Sequence, residues 1–182
     1  MKKNKLKDSG FGTKKKKGLI LTGELSWPDG SNYKGALKSE KEKIPHGEGA
    51  YSFPDDEQWY EEEGVKLWRG KTYFGEFKNG KFNGQGRFKC GGTEAYNYEG
   101  EFKNGLFHGK GRMEHDNGEI FEGYFKNDRK FFGKWKFSNG DEYEGEIKDN
   151  EAHGKGTFKE SNGKILKGEF KNGEFVKWKW IK

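Results

Sequence analysis

Four histidines, a recurring carboxylate and a set of Gly-x-Gly segments are the residues whose types could support chemistry in this chain. His46, His108 and His153 each stand directly before the first glycine of a Gly-x-Gly, and His115 falls in a polar turn where it reads as solvated. Metal ligands, or a nucleophile and its base, must converge within coordination or hydrogen-bond reach. Residues placed once per repeating unit report register instead. Glu76, Glu101, Glu146 and Glu169 recur in the same way, each followed two residues on by Lys78, Lys103, Lys148 and Lys171. Such ladders form solvated pairs on the outer face of a sheet, and that is the expectation here. The Gly-x-Gly segments invite a nucleotide reading. A dinucleotide site needs a strand, G-x-G-x-x-G and then a helix. Gly109-Lys110-Gly111 lacks the third glycine and sits in a strand pattern, as do Gly84-Gln85-Gly86 and Gly154-Lys155-Gly156. No P-loop is present. Cys90 is the sole cysteine, so no intrachain disulfide can form, which suits a reducing, cytoplasmic setting. No catalytic residue, metal ligand set or cofactor site is expected.

The element that positions these residues is clearest at Tyr98–Gly118, YEGEFKNGLFHGKGRMEHDNG. Units of this type open at Tyr33, Tyr73, Tyr98, Phe121, Tyr143 and, in part, Leu166, the last steps being 25, 23, 22 and 23 residues. A fixed period of that size marks a repeat architecture. Within a unit, alternate residues share a face. Tyr73, Gly75 and Phe77 therefore point one way and Phe74, Glu76 and Lys78 the other; Tyr98, Gly100 and Phe102, and Tyr143 and Gly145, follow suit. Asn79-Gly80, Asn104-Gly105 and Asn172-Gly173 lie at the reversals, because both residue types tolerate positive φ. Asp116-Asn117-Gly118 and Ser138-Asn139-Gly140 link one hairpin to the next. The glycines, Gly109, Gly111, Gly154 and Gly156 among them, leave space for rings to lie over backbone. Tyr98, Phe102 and Met113 are expected to pack beside Phe121, Phe125 and Trp135.

Composition supports a thin core spread along a stack. Only 29% of residues are hydrophobic against 36% charged, a disordered profile. The 16% aromatic content and 30 Gly against 3 Pro argue for a fold in which rings replace aliphatics. Charge is uneven: residues 1–17 carry eight Lys and one Asp, which leaves residues 18–182 at −1 of the net +6. Residues 1–17 read as a basic flexible tail, with Lys14, Lys15, Lys16 and Lys17 as a candidate anionic-surface site. Residues 18–182 read as an array of about six hairpin units. No apolar run approaches the roughly 20 residues of a membrane helix, and no secretory signal is visible. Aromatic platforms with basic neighbours can bind single strands, but the rings sit at core positions and the body is near neutral. No nucleic acid is expected.

Departures from the unit point to partners. An insertion at about 54–70 carries six acidic and two basic residues with Trp59, Tyr60 and Trp68. In the unit from Phe121, the loop Asn127-Asp128-Arg129-Lys130 lacks Asn-Gly, Phe131 replaces a glycine and one residue is missing, so a local kink or groove is expected. The end, Phe175 to Lys182 with Trp178 and Trp180, reads as one alternating strand that caps the array or pairs edge to edge with a second copy. Trp59, Tyr60, Trp68, Trp178 and Trp180 are the candidate partner-binding residues.

The pattern Tyr98-x-Gly100-x-Phe102, Gly105, His108-Gly109-x-Gly111 and Gly118, repeated at a 23-residue step, resembles the MORN repeat (membrane occupation and recognition nexus) over residues 18–182. The resemblance implies an all-β, elongated, single-layer twisted antiparallel sheet of stacked hairpins. It also implies a non-enzymatic scaffold of cytoskeletal, ciliary or axonemal assemblies whose partners are other proteins. Family members also serve as accessory regions of lipid kinases and of a SET-type methyltransferase, for which this chain leaves no room. The alternative is a peripheral membrane adaptor that binds anionic lipid through its Lys-rich tail.

Overall fold

The computed structural model describes residues 20–54, 60–62, 65–67, 70–92 and 95–178. Among these, strand follows strand: β1 (Thr22–Ser26), β2 (Asn32–Leu37), β3 (Pro45–Ser52), β4 (Tyr60–Glu62), β5 (Val65–Leu67), β6 (Lys71–Lys78), β7 (Lys81–Cys90), β8 (Tyr96–Lys103), β9 (Leu106–His115), β10 (Ile120–Lys126), β11 (Arg129–Lys136), β12 (Glu142–Lys148), β13 (Glu151–Lys159), β14 (Ile165–Lys171) and β15 (Glu174–Trp178). Thirteen of them form one open antiparallel sheet in chain order, from β1 to β15 without β4 and β5. Those two pair with each other as a separate hairpin inside the acidic insertion, an element the sequence reading did not resolve. Every strand of the large sheet bonds only to the strands next to it in chain order, β3 meeting β6 across the insertion, as the repeat pattern implies.

The reversals follow turn chemistry. Asn79, Asn104 and Asn172 have φ of 50, 55 and 49°, and the glycine after each is also positive. Asp149-Asn150 and Asn127-Asp128 make the same reversal without glycine, because Asn and Asp tolerate the left-handed region. The altered loop of the unit from Phe121 therefore still makes an ordinary reversal, and what is unusual there lies in its bulge. Its pairing runs from Ile120↔Lys136 to Lys126↔Arg129, interrupted by one unpaired residue, Phe131. Sibling units leave two unpaired, Gly109 and Lys110 in one case and Gly154 and Lys155 in another. The missing residue is absorbed in the bulge.

The rings form the core on one face. Tyr33, Tyr73, Tyr98, Phe121 and Tyr143 are the most deeply buried large side chains. Each tyrosine lies across a pair of facing glycines. A Cβ on Gly111 would stand 2.6 Å from the Tyr98 ring, and one on Gly100 2.7 Å from its hydroxyl. That hydroxyl donates to the Glu101 carbonyl at 2.9 Å, and Tyr73 and Tyr143 donate to Glu76 and Glu146 at 2.8 Å. Edge-to-face contacts then run from unit to unit. Phe77 meets Tyr33 at 4.9 Å and Tyr73 at 5.1 Å, Phe102 meets Tyr73 at 4.9 Å and Tyr98 at 5.2 Å, and Phe125 meets Tyr98 at 5.0 Å and Phe121 at 5.1 Å. Such pairs add about 0.5–1.5 kcal/mol beyond their area. The packing expected of Phe102 and Met113 against Phe125 and Trp135 is present in one cluster.

The recurring glutamates behave differently from the expected pairing with Lys78, Lys103, Lys148 and Lys171. Glu76, Glu101 and Glu146 turn their carboxylates onto the bulge of the return strand and accept the N–H of Gln85, Lys110 and Lys155 at 2.9, 2.9 and 3.3 Å. The space is provided by Gly84, Gly109 and Gly154, whose positive φ angles of 80, 57 and 58° shape the bulge. A backbone N–H freed from the ladder by the bulge needs an acceptor, and the carboxylate is the nearest one. Glu169, where the bulge differs, pairs with Lys177 at 2.9 Å.

Candidate functional site

A single-layer sheet leaves its ring-bearing face uncovered. Phe82 stacks on Tyr73 at 3.8 Å and Phe107 on Tyr98 at 4.0 Å, forming a second layer above the buried rings. Phe53 and Phe88 bridge these, with Phe53 5.8 Å from Phe88 and Phe88 5.8 Å from Phe107. These rings are only half-buried. Together they border a trough of about 660 Å³ that runs from Phe53 to Trp135.

One end of the trough is polar because Lys130 stands where sibling units carry a ring. It pairs with Phe125 as Phe82 pairs with Phe77 and Phe107 with Phe102. Its ammonium lies 3.8 Å from the centre of the Trp135 ring and 3.3 Å from Glu119 Oε1. The same oxygen accepts the Trp135 Nε1–H at 2.8 Å. Burial pulls the Lys130 pKa below the usual lysine range, against the opposing pull of Glu119. Asp128 hangs over the neighbouring hairpin and accepts the Phe107 N–H at 2.7 Å. Burial first, then Cys90 and Asp128, push Tyr96 up to about 12. His115 does not lie free in a turn. It is the last residue of β9, half-buried, and rests 5.6 Å from Tyr96 on the wall of the trough.

The three histidines before the glycines occupy β3, β9 and β13, one per hairpin. His46 Nδ1 accepts the Asn79 N–H of the next turn at 3.5 Å. The Nδ1 atoms of His108 and His153 are enclosed without a hydrogen-bond partner, and their carbonyls accept the Tyr98 and Tyr143 hydroxyls at 3.4 and 3.1 Å. Among the described residues, no three His, Cys, Asp or Glu side chains are grouped to hold a metal ion, and no helix is long and apolar enough to cross a membrane.

Of the residues singled out from sequence as partner contacts, Trp59, Trp68 and Trp180 lie outside the described residues, as do Lys14, Lys15, Lys16 and Lys17. Tyr60 falls in β4 and Trp178 ends β15. The sequence reading expected a kink or groove at the loop that holds Lys130, but not the trough's reach to Phe53 or the contacts of Lys130 with Glu119 and Trp135. The signal was present as a lysine at a ring position of the repeat.

Comparison with known families gives a match to the MORN repeat at residues 41–58, 73–92, 98–120 and 143–164. No curated protein matches the chain. One matched segment covers β3 and the other three fall on the hairpins β6–β7, β8–β9 and β12–β13; the unit from Phe121, whose bulge and ring positions are altered, lies between the last two. Chain-order strands, glycine-seated rings and four family matches together make this chain a MORN-repeat protein across residues 41–164.

Proposed function

We propose that the protein is a non-enzymatic scaffold or adaptor whose aromatic trough receives an apolar segment of another protein. The observation that carries this reading is the half-buried second layer of Phe82, Phe88 and Phe107 along an uncovered sheet face. Exposed contiguous apolar surface of this kind marks interaction sites, and an amphipathic segment fits a groove of this kind. A cytoskeletal or ciliary assembly is the setting suggested by the family resemblance. Trp59, Tyr60, Trp68, Trp178 and Trp180 are further candidate contacts on sequence grounds. Affinity capture from native cells, with the full-length tagged chain beside a Phe88→Glu version, tests the reading. Recovery of cytoskeletal proteins that is lost with Phe88→Glu supports it; recovery indifferent to that change removes the trough from the mechanism.

A second reading, a peripheral membrane adaptor, rests on the eight lysines of residues 1–17. Each would add about 1 kcal/mol near an anionic surface, weakening with salt. Vesicles of phosphatidylserine and phosphatidylcholine should retain the full chain at low salt and release it when residues 1–17 are deleted. Retention of the deleted chain sinks this reading.

A further inference from the structure

On the face opposite the rings, the unit from Phe121 breaks a rule that three of its siblings keep. Tyr124 stands where Glu76, Glu101 and Glu146 cap the bulge. Phe132 precedes Gly133 where the siblings have Gln85, Lys110 and Lys155, and Phe131 fills the bulge where they have Gly84, Gly109 and Gly154. The three aromatic side chains are 49, 43 and 55% exposed. The siblings build the same hairpin with polar residues and glycine, so the fold does not require rings here. Exposed aromatic clusters of this kind are enriched at protein interfaces.

The charges around the patch say what covers it. Strand register places Lys110, Tyr124, Phe132 and Glu146 in one row across β9, β10, β11 and β12. The adjacent row is Arg112, Glu122, Lys134 and Glu144. Each row is opposite in charge when read from its other end. A two-fold axis parallel to the strands, passing between Tyr124 and Phe132, exchanges the ends. It sets Lys110 against Glu146 of a second copy, Arg112 against Glu144, Glu122 against Lys134, and Tyr124 against Phe132. An isologous interface requires this reciprocity, and opposed sheets with nearly aligned strands pack about 10 Å apart. The next row, Glu114, Ile120, Lys136 and Glu142, does not match itself in this way. Its acids pair with Arg112 and Lys134 within the chain, so across the axis each of those cations is shared between an acid of its own chain and one of the second copy.

We propose that two copies of this chain associate face to face through the Tyr124–Phe131–Phe132 patch, with Arg112 of each copy meeting Glu144 of the other. The full-length chain in sedimentation equilibrium tests it. Wild type should show a monomer–dimer equilibrium. Tyr124→Glu, which restores the sibling residue and spares the fold, should weaken it by roughly tenfold or more. Arg112→Glu and Glu144→Arg should each weaken it by a similar factor, and the two together should restore it, because the reversed pair meets again across the axis. Circular dichroism of each variant checks that the sheet is intact. A wild-type chain that stays monomeric at the highest soluble concentration overturns the proposal and leaves the patch to a different protein. A dimer that survives Tyr124→Glu, or double reversal that fails to restore one, also overturns it and points to pairing elsewhere, as at β15.

Discussion

Lys130 holds its ammonium 3.8 Å above the Trp135 ring, at a position where two sibling hairpins place the stacked rings Phe82 and Phe107. A lysine side chain only 9% exposed, paired with Glu119 on an aromatic floor, is an expensive way to fill the space. Replacing a buried ion pair by apolar groups is often neutral or stabilising, whereas removing one partner strands the other charge. Lys130→Met removes only one partner, but Glu119 keeps the Trp135 N–H and is 23% exposed, so the change should cost no more than about 1 kcal/mol. Glu119→Ala should cost about 3 kcal/mol, because it orphans both the ammonium and the indole N–H. Urea unfolding of the two variants checks the contrast.

The glutamate caps give a second contrast. Glu101→Ala removes a charge-assisted acceptor from the Lys110 N–H and should cost about 1 kcal/mol, the carboxylate being near solvent. Lys103→Ala should lie within about 0.5 kcal/mol of wild type. An ion-pair ladder would make the two changes equal, so the difference in urea midpoint decides between the arrangements.

Gly111→Ala should be far worse than either. Its Cβ would enter the ring of Tyr98, which is fixed by its own hydroxyl bond and by Phe102 and Phe107. Neither backbone nor ring has room to retreat, and a cost of about 3 kcal/mol or more is expected from overpacking. Gly118→Ala, where a Cβ meets nothing within 4 Å but φ is 86°, should cost only about 1–2 kcal/mol of backbone strain. Thermal melts of the pair separate clash from strain.

Alkali should attack the core through its tyrosines. Burial pushes Tyr33, Tyr96 and Tyr143 up to about 12 and raises Tyr73 and Tyr98 further. In the unfolded chain these groups ionise near 10.0. A raised folded value means that the stabilisation is complete below that pH and is lost as pH climbs through about 12. Lys130, lowered by burial, acts in the opposite sense, but it is one group against five. Stability measured against pH by circular dichroism should stay level to about pH 10 and then fall steeply.

The sheet was legible in the sequence because its information is local. Asn79-Gly80 and Asn104-Gly105 announce reversals, and the period of Tyr73, Tyr98, Phe121 and Tyr143 fixes which rings share a face. The glutamate caps were not legible, since Glu101 meets Lys110 only through a bulge whose register depends on both strands. His115 was misplaced for a related reason. It sits at a strand end that the trough's wall happens to include, and only the arrangement of Tyr96 and Phe107 makes that wall. Lys130 could have been found by aligning the units, since a lysine at a ring position is a visible departure. The aromatic patch at Tyr124 is visible in the same comparison, but its charge symmetry requires the register across four strands.

Strict neighbour-to-neighbour pairing from β1 to β15 also makes the molecule a ruler. Strand spacing of about 4.8 Å sets the end strands roughly 58 Å apart along the sheet. Each inserted or deleted hairpin would change that length by roughly 10 Å without disturbing contacts beyond its neighbours. Load applied between the end strands crosses every hairpin in series, so the weakest hairpin sets the force at which the spacing gives way.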